Sequence, residues 1–262
     1  MLSRMQLELA AVVVVFGAGS LAVSGALAFI LGINLGGGLP AVTATMAQGP
    51  AARRLPLAIL MCRGTLARLG VAVIESGDPS TDLPIHLASA GVDVVFSINN
   101  RFLLSDAVLA SGPRFYNIHN GLVQRYRGLA EVCVVAAICR GEAEYGATLH
   151  RLLPGQKVDT GPVVGQQAFA VATEDEFAIV FGRGLDACKR LYEQHVATIA
   201  AGDDVATPVD HTGKAFGYKD VARLCAEASP ERRRRASRLG PYQAFFPTLA
   251  AQLADVDRHA AA

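Results

Sequence analysis

Polar and apolar positions along the chain alternate between two kinds of stretch. Short continuous apolar runs occur at Ala11–Phe16, Ala41–Thr45, Val71–Ile74, Val92–Ile98 and Phe115–Ile118, the pattern of strands covered on both faces. Between them, Ser20–Leu31, Leu57–Leu69 and Leu83–Ala90 space their apolar residues helically. Such alternation predicts an α/β fold with a doubly wound, mostly parallel sheet. After Gly128 the pattern predicts a helix around Ala130–Arg140, extended runs at Ala147–Leu153 and Val164–Val171, and a long helix from about Glu174 to Ala200. Thr173 and Glu176 have the spacing of a capping box for that helix. Gly202-Asp203-Asp204 and Pro208 mark a boundary, dividing a main domain, residues 1–202, from a small, mainly helical C-terminal appendage, residues 203–262.

Composition narrows this picture. Apolar residues make up 52% and charged residues 18% of the chain, as in a folded globule rather than a disordered one. The formal net charge of +1 gives no global reason to expect nucleic acid or an anionic membrane as partner. The dense basic run Arg232–Arg235 reads first as a solvated helix face, with contact to a phosphate-bearing substrate or tRNA as its alternative. Five cysteines (Cys62, Cys133, Cys139, Cys188, Cys225) form no C-x-x-C pair and read as reduced core thiols of a cytoplasmic protein. The apolar N-terminal stretch is broken by Gly17, Gly19, Ser20, Ser24 and Gly25, and Glu8 interrupts what would be a basic leader. Strand, turn and helix therefore fit it better than a membrane span or signal peptide.

The turn after the first run, Phe16-Gly17-Ala18-Gly19-Ser20, invites a dinucleotide-binding reading because backbone N–H groups at a helix start suit a pyrophosphate. Val23 and Ser24 stand where the third glycine belongs, and no acidic residue follows about twenty positions on. A substrate or anion site at Gly17 and Gly19 stays open. More informative is Asn117-Ile118-His119 at the end of a strand, where a period of two puts an amide and an imidazole on one face. Asp159, in Asp159-Thr160-Gly161, adds a carboxylate in a loop. Each alone is as readily structural as functional.

Together these stretches resemble the folate-dependent formyltransferases that act on glycinamide ribonucleotide, methionyl-tRNA and amino sugars. That family carries N-x-H-x-S-L-L-P-x-x-R-G, then G-x-T-x-H/M, then D-x-G. The matches are Asn117-Ile118-His119, Arg127-Gly128, Gly146-Ala147-Thr148-Leu149-His150 and Asp159-Thr160-Gly161, with Val95–Leu104 resembling the family's folate-pocket strand and loop. The likeness spans roughly residues 10–200 and is strongest over 92–171. Two departures stand out: Gly121-Leu122-Val123-Gln124 replaces Ser-Leu-Leu-Pro, and Leu153-Pro154-Gly155-Gln156 lengthens the approach to Asp159.

The resemblance implies that 1–202 is a catalytic domain in which Asn117, His119 and Asp159 transfer a formyl group. The donor it implies is 10-formyltetrahydrofolate, held by main-chain groups near Phe102, Leu103, Leu104 and Val158, with no metal. Arg125, Tyr126 and Arg127 flank the expected acceptor face, although Arg127 could equally tie down its loop. The expected acceptor is a primary amine of a small metabolite, either a nucleotide-linked amino sugar or an amino-acid-derived intermediate. Phe216, Tyr218, Tyr242, Phe245 and Phe246 could serve as core, as a homodimer interface or as a cover for the acceptor. A formyl-folate hydrolase and a non-catalytic ligand-binding module are the alternative functions.

Overall fold

The computed structural model describes residues 13–17, 83–85, 87, 92–98 and 103–261, and the chain divides into two compact units, Met1–Phe115 and Tyr116–Ala262. The expected strands at 41–45 and 71–74, the helices at 20–31 and 57–69, and the turn at Gly19 lie outside the described residues, as does Cys62. Of the helix expected over 83–90, Leu83, Pro84, Ile85 and Leu87 are helical.

In the first unit, β1 (Val13–Gly17) pairs antiparallel with β2 (Val92–Ile98), Val13 opposite Ser97 and Val15 opposite Val95. Strand β2 buries Val92, Val94, Val95 and Phe96, and Ser97 with them, while Asp93 faces solvent. Helix α1 (Asp106–Leu109) starts at Ser105, whose hydroxyl accepts from the Val108 N–H at 3.4 Å.

The second unit carries β3 (Arg114–His119), which begins at the junction, then β4 (Arg127–Gly128), α2 (Ala130–Arg140), β5 (Glu144–Leu152), β6 (Val163–Ala170) and α3 (Phe177–Ala201). It continues with β7 (Ala215–Phe216), α4 (Val221–Glu227), α5 (Pro230–Ser237) and α6 (Pro247–Ala261). Strands β3 and β5 are sheet neighbours, and α2 lies between them in the chain, the crossover that parallel neighbours require. Strands β5 and β6 form an antiparallel hairpin, Glu144 opposite Ala170 and Leu149 opposite Gly165, with a register shift at His150. The α/β alternation read from the sequence is thus present, with antiparallel pairs at β1–β2 and β5–β6. A separate short parallel ladder pairs Arg127 with Ala215 and Gly128 with Phe216.

Helix α2 is buried from Glu131 to Cys139, and such an all-round apolar helix needs cover on every side. Helices α3, α4 and α5 all pack on it. Its small and β-branched residues (Val132, Val134, Val135, Ala136, Ala137) join Phe216, Leu224, Phe246 and Leu249 in one core. The aromatics of residues 203–262 are therefore core: Phe216 and Phe246 are buried, and Tyr218, Tyr242 and Phe245 pack partly buried against them. Cys133, Cys139 and Cys225 are buried free thiols and Cys188 is half-buried. Arg232 and Arg235 are tied down rather than simply solvated, donating to the carbonyls of Arg140 and Asp175.

Helix α3 starts at Phe177, later than the apolar spacing suggested, and the expected capping box does not form. Its members are engaged elsewhere: the Thr173 hydroxyl donates to Glu174, and Glu176 pairs with Arg238. Asp175 orders the turn instead, accepting from the Ala172 N–H at 2.8 Å and from Arg183 at 2.6 Å. Among the described residues no helix is long and apolar enough to cross a membrane.

Beyond α3, buried Asp204 accepts the Tyr116 hydroxyl at 3.0 Å and two donors of the Arg151 guanidinium at 3.0 and 2.8 Å. One carboxylate thereby ties β3 and β5 to the chain that follows α3. Replacing it leaves a buried hydroxyl and a guanidinium without their acceptor. Asp204→Ala is expected to cost about 2–4 kcal/mol of unfolding free energy, measured by urea denaturation.

Candidate active site

Strand β3 delivers Asn117 and His119 two residues apart to one carboxylate, as their spacing predicted. Asn117 Nδ2 donates to Asp159 Oδ1 at 3.1 Å, and His119 Nδ1 lies 3.7 Å from Asp159 Oδ2. The second Asn117 Nδ2 contact is His150 Nε2 at 3.2 Å, and that nitrogen is 3.5 Å from Asp159 Oδ1. The Gly128 N–H completes the set, donating to Asp159 Oδ2 at 2.8 Å. All of these residues belong to the second unit.

Partner chemistry fixes the protons. His119 Nε2 is 2.9 Å from the Tyr126 carbonyl, and a carbonyl only accepts, so Nε2 carries hydrogen. In the neutral ring Nδ1 is then a free base facing Asp159. His150 Nδ1 is 3.2 Å from the Arg151 carbonyl, so in the neutral ring Nδ1 carries the hydrogen and Nε2 accepts from Asn117, and only the imidazolium directs a hydrogen from Nε2 at Asp159. Both Asn117 Nδ2 hydrogens are therefore committed, one to Asp159 and one to His150.

Asp159 holds this arrangement from a left-handed backbone, φ 52°, unusual for a residue other than glycine. Two residues on, a Cβ on Gly161 would lie 1.7 Å from the Arg151 carbonyl oxygen, so the loop closes on β5 only with glycine there. Arg127, buried at its strand, donates to the carbonyls of Val158 and Gly213 at 3.3 and 2.6 Å. That is the loop-tying role, and it places the Val158 carbonyl on Arg127.

Burial by itself would raise the Asp159 pKa, but the His119 charge, the His150 contact and the Gly128 N–H outweigh it and hold the carboxyl below the usual carboxylate range. The unfolded chain, with Asp159 near its ordinary value of about 4, then binds more protons in acid than the folded one. Its contribution to stability is complete above that ordinary value and is lost as pH falls toward the lower folded value.

The structure brings together Asn117, His119 and Asp159 as anticipated, and adds two residues. His150, fully buried, stood in the matched Gly146–His150 stretch, and its signal was the imidazole at the end of a buried strand. Gly121 stands where the resembling family has serine. A Cβ there would meet His119 Nε2 at 2.6 Å and the Tyr126 carbonyl at 2.7 Å, so glycine lets the imidazole reach that carbonyl. The proline that is replaced by Gln124 is also accounted for. Gln124 and Gln166 exchange amide hydrogen bonds at 2.7 and 2.8 Å, and the Gln124 carbonyl accepts the Thr212 N–H at 2.7 Å.

The remaining sequence candidates lie as follows. Arg125 pairs with Glu142 at 2.9 Å. Tyr126 is fully buried with its hydroxyl on Glu142 at 2.6 Å, and its carbonyl is what it gives the site. Leu103 is exposed and Leu104 half-buried, both in the first unit ahead of α1. Gly17 ends β1, whereas Gly19 and Phe102 lie outside the described residues. Among the described residues no group of His, Cys, Asp and Glu side chains is set to hold a metal ion.

Residues 75–196 match the family model described as Formyl transferase. Among solved structures it is similar to a sugar N-formyltransferase from a Shewanella species, at 20% identity and TM-score 0.55, covering 67% of this chain and 70% of that one. It is similar also to a candidate sugar N-formyltransferase from Mycobacterium tuberculosis, at 21% identity and TM-score 0.55, covering 69% and 81%. These likenesses establish a formyltransferase fold. An N-formyltransferase from Helicobacter canadensis matches at 22% identity and TM-score 0.37 over 40% of this chain, which spans 38% of that protein's length.

Two outcomes follow from the geometry. Gly121→Ser forces His119 off the Tyr126 carbonyl, and a destabilisation of about 1–3 kcal/mol is expected, with a displaced His119 imidazole ¹⁵N signal as the local readout. Asp159→Asn is expected to flatten the acid limb of the stability-versus-pH curve below about pH 4, read from urea midpoints at closely spaced pH values.

Proposed function

We infer that the protein is an N-formyltransferase that moves the formyl group of 10-formyltetrahydrofolate to the primary amine of a small metabolite. The observation that carries this reading is the convergence of Asn117 and His119 on a buried, ionised Asp159. Acyl transfer to nitrogen needs a base for the attacking amine, a donor for the oxyanion and a proton for the leaving nitrogen.

Each need has a group suited to it. The amine attacks the formyl carbon, and the carbonyl electrons move onto oxygen. Asn117 donates to that oxyanion by giving up its His150 contact while Asp159 keeps its orientation. The free Nδ1 of His119 accepts the amine proton. At 3.7 Å from Asp159 the new imidazolium is stabilised by charge rather than by a direct hydrogen bond. Collapse breaks the bond from the formyl carbon to the folate nitrogen, which takes up the proton, leaving a formamide and tetrahydrofolate. The folate would lie against main-chain groups of Phe102–Leu104 and Val158, as the resemblance suggests. Similarity to sugar N-formyltransferases favours an amino sugar as acceptor.

Tetrahydrofolate release from 10-formyltetrahydrofolate in the presence of a panel of amines tests the reading. Release that depends on an amine is the expected result, whereas release in buffer alone would identify a hydrolase. Asn117→Ala should lower the rate about 10²–10³-fold and His119→Ala about 10²–10⁴-fold. Unchanged rates in both variants would exclude this site as the seat of the chemistry.

A further inference from the structure

Thr148 and Gln166 stand opposite each other in the β5–β6 hairpin, and a cross-strand pair shares one face of its sheet. Gln166 is exposed and Thr148 fully buried, yet the Gln166 amide donates to the Thr148 hydroxyl at 2.8 Å. The same hydroxyl donates to the Gly121 carbonyl at 2.8 Å and accepts from the Val123 N–H at 3.3 Å. A threonine hydroxyl has one hydrogen and two lone pairs, and here each has its partner. Gln166 is itself held in place by Gln124, with which it exchanges hydrogen bonds at 2.7 and 2.8 Å. Its amide nitrogen therefore sends one hydrogen to Gln124 and the other to Thr148.

The turn gripped by that hydroxyl is the one that walls the His119 imidazole. On one side Gly121 lies so close to the ring that a Cβ there would be 2.6 Å from Nε2. On the other, the Tyr126 carbonyl accepts from Nε2 at 2.9 Å. The Arg125 and Tyr126 N–H groups both donate to the Leu122 carbonyl at 2.9 Å, so the Tyr126 end moves with the same turn. Releasing Gly121 and Val123 from β5 thus disturbs both contacts that aim the ring. Misplacing a reacting group by about 1 Å is enough to cost about 10²-fold in rate. An exposed amide pair adds little to stability, because water competes for the same groups. What Gln166 contributes is the orientation of a buried hydroxyl.

We infer that Thr148 and Gln166 are positioning residues for formyl transfer, holding the Gly121–Tyr126 turn so that Nδ1 of His119 is presented to the attacking amine. The consequence for rate rests on the formyl-transfer reading, whereas the aim of the ring is observable without it.

Three variants of the full chain test this. Thr148→Val keeps the branched shape and removes the hydroxyl, Thr148→Ser keeps the hydroxyl, and Gln166→Leu removes the surface donor alone. In amine-dependent tetrahydrofolate release, Thr148→Val is expected to lose about tenfold or more in kcat, with KM for 10-formyltetrahydrofolate within about twofold of wild type. Thr148→Ser is expected to recover the rate, and Gln166→Leu to lose about two- to fivefold. In ¹⁵N-labelled protein the His119 Nε2 signal is expected to move in Thr148→Val and Gln166→Leu and to stay in place in Thr148→Ser. Equal losses in Thr148→Val and Thr148→Ser, a raised KM at unchanged kcat, or an Nε2 signal unmoved in both Thr148→Val and Gln166→Leu overturns the proposal. If Thr148→Val fails to fold, Gln166→Leu decides alone, since it alters an exposed side chain: an unchanged rate with an unchanged Nε2 signal overturns it. Wild-type protein that releases no tetrahydrofolate with any amine removes the formyl-transfer reading, and the Nε2 signals then decide whether Thr148 and Gln166 aim the ring.

Discussion

A carboxylate taken out of water is costly to ionise, and everything around Asp159 answers that constraint. Its two oxygens meet the Gly128 N–H, the Asn117 amide and two imidazoles. These contacts more than offset desolvation and leave the group charged. Its charge in turn orients the others. Asn117 is turned by the pull on its Nδ2, and Nδ1 of His119 faces the carboxylate at 3.7 Å. Removing the negative charge would leave donors aimed at nothing, so structure and chemistry depend on the same group.

Holding a loop carboxylate in that position requires a frame, and the frame reaches well beyond the loop. Arg127 ties Val158 to Gly213, Asp204 ties Tyr116 to Arg151, and Gln124 ties the turn after β3 to both β6 and Thr212. Residues 203–262 therefore act on the site from two directions. They supply hydrogen-bond partners for the loops beside it, and they cover α2, whose neighbouring ladder carries Arg127 and Gly128. Deep burial of α2 explains why this segment is rich in aromatics, since large side chains complete the shell around small ones.

Where the chain departs from the resembling family, the replacements are locally consistent. Loss of the serine at Gly121 opens the space through which His119 reaches the Tyr126 carbonyl. Loss of the proline at Gln124 adds a reciprocal amide pair to Gln166. Both changes lie in the turn between β3 and β4. The segment from Asn117 to Gly128 thus carries Asn117 and His119 together with the Tyr126 carbonyl that holds the imidazole and the Gly128 N–H that meets Asp159.

The sequence alone determined the elements whose evidence is local. An apolar run covered on both faces gave β2 at its observed limits, helical spacing gave α2 at its observed limits, and period two put Asn117 and His119 on one side of β3. In each case neighbouring residues suffice to fix the outcome. The tertiary structure decided what depends on residues far apart in the chain. Asp159 joins Asn117 across 42 positions, His150 turns inward because the buried end of β5 meets the same carboxylate, and Tyr126 serves the site through its carbonyl rather than as an exposed side chain. The capping box at Thr173 and Glu176 failed for the same reason, because Arg238, 62 residues away from Glu176, competes for its carboxylate. Local pattern fixes backbone periodicity, whereas the partner of a polar group is chosen by whichever donor or acceptor the fold brings near, and no spacing along the chain encodes that choice.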